Sequence, residues 1–191
     1  AKERVHSQLR SGVEGDCEAG FKLVSDALTW YEAFTGPRHQ DARRTRGIWC
    51  MAACRLSDEW EHAGDHDASR QLRNDAVAAA QLNVELATHD DTPERVATYR
   101  SRLAQALVRA GDPSGVALLR NTLKVRCGGQ RYVDPQWPHA DDPLSIEVLW
   151  DVAELVAALH RFDQEEEAVL VGRRFGLARV HDWPANLTRG W

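Results

Sequence analysis

The stretch Tyr99–Leu123, YRSRLAQALVRAGDPSGVALLRNTL, decides how the rest of the chain is read. Val96, Tyr99, Leu103, Ala106, Leu107 and Ala110 recur at three- and four-residue steps, which marks one apolar stripe on a helix. Gly111 supplies the left-handed residue that ends such a helix. Asp112 can accept from the free N–H groups of the next one, and Pro113 suits a first helical position. Val116, Leu119 and Leu123 then form the returning stripe. The unit is a helical hairpin.

Fainter copies surround it. Upstream, Val5 and Leu9 open a short helix that stops near Gly12. A second helix starts at Gly15-Asp16 and carries Phe21, Val24, Leu28 and Tyr31 as far as Thr35-Gly36-Pro37. Asp41 is placed to cap a third, with Ile48, Ala52, Leu56, Trp60 and Ala63, and Gly64-Asp65 turns the chain into a fourth with Leu72, Ala76, Ala79 and Leu86. Thr92-Pro93-Glu94 combines a cap with proline and starts the fifth. Downstream, Asp142-Pro143 repeats that signal before Ile146, Leu149, Ala153, Val156 and Leu159. Asp163-Gln164-Glu165-Glu166 then offers an acidic cap for a last helix reaching about Val180, with Trp183-Pro184 beginning a tail. Gly-Asp turns at 15, 64 and 111 lie at nearly equal spacing, and one more step falls near Arg161. Four hairpins are therefore expected, each burying its apolar face only against a neighbour.

Composition agrees. The 191 residues are 43% hydrophobic and 28% charged, rich in Ala, Leu, Arg and Glu, with no alternating runs that read as strands, so the expected class is all-α. A single helical-repeat domain is expected over 1–191, with hairpins near 1–36, 38–91, 92–128 and 142–181, a loop at 129–141 and a tail at 182–191. The start in mid-pattern at Ala1 fits a domain taken from a longer chain. A net charge of -5 argues against a general nucleic-acid surface. No apolar run approaches the ~20 residues of a membrane span, and the charged first ten residues hold no signal-peptide core. Cys17, Cys50, Cys54 and Cys127 lack knuckle spacing and read as reduced thiols of a cytoplasmic protein.

Leu103-Ala104, Leu107 and Gly111-Asp112 resemble the first helix and turn of a tetratricopeptide repeat. Weaker versions are Val152-Ala153, Val156 and Arg161-Phe162 with Ala168, and Leu56-Ser57, Trp60 and Gly64-Asp65 with Ala68. The interval exceeds the ~34 residues of an ordinary repeat and is closer to longer-helix variants. The four hairpins would stack as an α-solenoid or close into a compact bundle. The resemblance implies a scaffold that binds another protein or a peptide on a concave face lined by the first helix of each hairpin. Register places Asp58, Glu61 and His62 on that face in the second unit, Ser101, Gln105 and Arg109 in the third, and Trp150 and Glu154 in the fourth. Simple solvent exposure is the plain alternative for these polar residues.

Chemistry is sparse. Glu59-Trp60-Glu61-His62 contains one Glu-x-x-His, but a di-iron bundle needs a second and two further glutamates, so no metal or cofactor is expected. Gly128-Gly129 lacks the Lys-Ser/Thr of a phosphate loop, and no nucleophile motif occurs. Arg43, Arg44 and Arg46 form a basic run that suits either an acidic peptide or a solvated helix turn. Trp30, Trp49, Trp60 and Trp150 are expected to fill gaps between hairpins. Two other readings compete with the scaffold: a regulatory or sensor segment of a larger protein, binding a small molecule between hairpins, and an enzyme that would have to bring His62, His139 and His160 together.

The connection Gln130–Asp141 is long for a helical stack, and Tyr132, Val133, Pro135, Trp137 and Pro138 argue that it folds against the hairpins, with Trp137 packing or lining a groove edge. Trp137→Ala should lower the melting temperature and leave binding intact. Lost binding in a fully stable protein would assign Trp137 to recognition instead.

Overall fold

The computed structural model describes residues 17–87, 91–129 and 144–176. Among these residues there are seven helices and no strand: α1 (Cys17–Thr35), α2 (Gln40–His62), α3 (His66–Glu85), α4 (Pro93–Arg109), α5 (Ser114–Arg126), α6 (Ile146–Arg161) and α7 (Glu165–Arg174). The fold class is all-α. The expected elements at Val5–Gly12, Gly15-Asp16, Gln130–Pro143 and Trp183-Pro184, with Trp137 and His139, lie outside the described residues. Two compact units divide the described residues. One runs through Thr92 and includes Arg109–Gly111; the other takes Pro93–Val108 and the described residues from Asp112 onward.

In the first unit α2 is the middle helix, packed against α1 on one side and α3 on the other. It therefore buries more than one stripe. Ile48, Ala52 and Leu56 are inside as expected, joined by Cys50, Ala53 and Cys54. Arg43 and Arg46 are also inside, 5% and 1% exposed, so the basic run is not a solvated patch. Only Arg44 of the three is exposed. The cap of α2 differs too. The helix begins at Gln40, and the His39 ring nitrogen accepts from the Asp41 N–H at 3.2 Å, so Asp41 sits inside the first turn where its charge suits the dipole. Trp49 is half-buried, 5.5 Å from the Phe21 ring, and its indole donates to Ser25 Oγ at 2.9 Å. Trp30 does not fill a gap. It is 54% exposed.

In the second unit, α5 packs on α6 and α6 on α7. Its core holds Val116, Leu119 and Leu123 of α5, Val148, Val152, Leu155 and Leu159 of α6, and Ala104 and Val108 of α4. Two helices bury more than their expected stripes. On α4, Tyr99 and Ala106 are inside as expected, joined by Ala97, Ser101, Ala104 and Val108, while Ala110 is exposed; on α6, Ala153 and Leu159 are inside as expected, joined by Val148, Val152 and Leu155, while Ile146 is 49% exposed. Ser145 caps α6 by accepting from the Val148 N–H at 3.3 Å. The last helix ends at Arg174, short of Val180, where Gly176 takes a φ of +75°.

The turns share one geometry. Gly64, Gly111 and Asp163 all have positive φ, at +87°, +84° and +57°. In each, the next residue donates its N–H to a carbonyl five residues back: Asp65 to Trp60, Asp112 to Leu107 and Gln164 to Leu159, all at 2.9 Å. This is the closing bond of a left-handed helix cap. The acidic cap expected at Asp163 is replaced by that left-handed turn, which Asp tolerates better than most side chains. A histidine–carboxylate pair also straddles two of the turns, Glu61 with His66 at 2.8 Å and His160 with Glu165 at 2.7 Å.

Two glycines can be separated by experiment. A Cβ at Gly111 would meet nothing within 4 Å, so only its positive φ resists substitution. Gly111→Val should cost about 1 kcal/mol or more and Gly111→Asn distinctly less. At Gly115, with ordinary φ, a Cβ would lie 2.7 Å from the Ala104 carbonyl oxygen and 2.7 Å from Val108 Cγ2. Gly115→Ala should therefore cost about 1–3 kcal/mol by forcing α4 and α5 apart. Urea unfolding midpoints check both, and equal effects of Val and Asn at position 111 would contradict the cap.

Candidate functional site

The polar residues expected to face a ligand separate into two groups. Asp58 and Glu61 lie one turn apart on α2, and Arg73 of α3 reaches both: its guanidinium donates to Asp58 Oδ1 at 3.2 Å, to Glu61 Oε2 at 3.2 Å and to Ser57 Oγ at 3.3 Å. Arg109, which belongs to this first unit, donates to Asp58 Oδ2. Two carboxylates thus meet two guanidiniums, and the cluster neutralises itself. His62 is exposed, its Nδ1 2.6 Å from the Asp58 carbonyl oxygen, so its proximal nitrogen is engaged by its own helix. Among the described residues no group of three His, Cys, Asp or Glu is arranged to hold a metal ion.

Ser101 and Gln105 have a different place. They are 5% and 8% exposed, inside the second unit. The Ser101 hydroxyl donates to Asp151 Oδ1 at 2.5 Å, Gln105 Nε2 donates to Ser101 Oγ at 3.4 Å, and Arg102 donates to Gln105 Oε1 at 2.9 Å. Arg126 closes the other side of Asp151 with an N–H at 2.6 Å and reaches Thr98 Oγ1 at 3.0 Å. This is a buried polar network joining α4, α5 and α6. Burial pushes the Asp151 carboxyl above its ordinary range, opposed by the Ser101 hydrogen bond and the Arg126 charge. Trp150 and Glu154 are half-buried on α6. Trp137 is outside the described residues.

A surface to which the repeat register does not point is also exposed. Leu23, Trp30 and Phe34 of α1 are 47%, 54% and 73% exposed. With Ala27 they recur at steps of four, three and four, so they form one ridge along the helix. The Trp30 and Phe34 ring centroids are 5.1 Å apart. The signal is present in the sequence: α1 carries two adjacent apolar stripes, Phe21, Val24, Leu28 and Tyr31 being the other. The second faces α2, with Val24 in the core beside Ile48 and Ala52; Ala27, at the inner edge of the ridge, packs partly against the same core, while Leu23, Trp30 and Phe34 stay exposed. Lys22 and Asp26, both exposed, lie beside the ridge. A stripe of large exposed apolar side chains with polar neighbours is a recognised mark of an interaction surface.

The Asp151 network has a pH signature. An acid whose folded pKa is raised binds its proton more tightly when folded, so its contribution to stability declines as pH rises from the unfolded value of ~3.9 through the folded one. Arg126→Leu removes a group that pulls this pKa down and widens that window upward. Its cost should be small near pH 4 and grow toward about 3 kcal/mol by pH 7. Asp151→Leu in the same background should abolish the growth. Urea midpoints across that range check this, and a pH-independent cost would contradict it.

No protein-family model matches the chain, and no curated protein matches it as a relative.

Proposed function

We propose that this chain is a protein- or peptide-binding helical scaffold that performs no chemistry, its hairpins stacked in the tetratricopeptide-like manner and its cysteines reduced in a cytoplasmic setting. The observation that carries the reading is the α1 ridge, where two aromatic rings and a leucine lie in contact with solvent. Aromatic anchors of this kind supply much of the binding energy at protein interfaces. The recurrence of one turn geometry at Gly64, Gly111 and Asp163 supports the hairpin-repeat part of the reading. The acidic residues Asp58 and Glu61 support partner binding less well, because Arg73 and Arg109 already satisfy them.

Comparative capture from the native source tests this. The Trp30→Ser, Phe34→Ser double variant should lose its bound protein by about tenfold or more, with an unchanged unfolding midpoint because both side chains are exposed. An Asp58→Ala, Arg109→Ala, Glu154→Ala variant probes the helix face expected from register. Retention of every partner by the ridge variant would overturn the ridge, and retention by both variants would overturn the scaffold reading itself.

A further inference from the structure

We draw no further inference here: the strongest candidate, the apolar ridge of Leu23, Ala27, Trp30 and Phe34 along α1 as a docking site for one defined partner, is flanked by exposed charges of both signs at Glu18, Lys22 and Asp26 that select no partner chemistry, and nothing in the structure shows what covers it.

Discussion

Arg46 holds three segments of the first unit at once. Its guanidinium donates to Glu32 on α1, to Asn83 on α3 at 2.6 Å and to the Pro37 carbonyl oxygen in the α1–α2 turn at 3.3 Å. Asn83 returns the contact by donating to the Arg43 carbonyl oxygen at 2.9 Å. Arg43 in turn makes a two-pronged pair with Asp91, at 2.7 and 2.8 Å, and donates to the Leu86 carbonyl oxygen at 3.2 Å. A buried guanidinium is tolerated when its charge is paired and most of its donors are met, and its planar fork suits bidentate carboxylate recognition. The network therefore fixes where α1, α3 and the segment after α3 sit on α2, since displacement of any of them strands a charge away from water.

That constraint explains the exposed ridge. With Glu32 drawn to Arg46, the rotation of α1 is set, and only one of its two apolar stripes can face α2. The other, with Leu23, Trp30 and Phe34, is left outward. A purely apolar contact between α1 and α2 would allow the helix to roll and share its apolar surface; the directional pair does not. The interaction that orders the unit is thus also the one that presents the surface we propose for a partner.

Part of this structure is legible in the sequence, and the rest is hidden for physical reasons. Gly64 and Gly111 announce their turns because so few residues accept a positive φ, and Thr92-Pro93 announces the start of α4. Asp163 reads as a cap because an aspartate before glutamates fits either role, and only the backbone decides. The α4 and α6 stripes are incomplete because the inward faces of these helices also include polar residues, Ser101, Gln105 and Asp151, whose burial depends on one another and on Arg126, distant in sequence. Arg43 and Arg46 look solvated for the same reason: their partners lie up to 48 residues away. Polarity alone makes Ser101 and Gln105 look ligand-facing. Asp58 and Glu61 do come together, but to share Arg73, and Arg109 joins them by pairing with Asp58.

At the centre of all this, Arg46 and Asn83 act as one unit across α2 and α3. A double-mutant cycle with Arg46→Met and Asn83→Leu, read from urea unfolding, measures that coupling directly. Each single variant should strand a buried partner, and the double variant should recover part of the loss, a coupling of about 1–3 kcal/mol. Additivity within about 0.3–0.5 kcal/mol would contradict it, since that is the behaviour of residues that do not depend on each other.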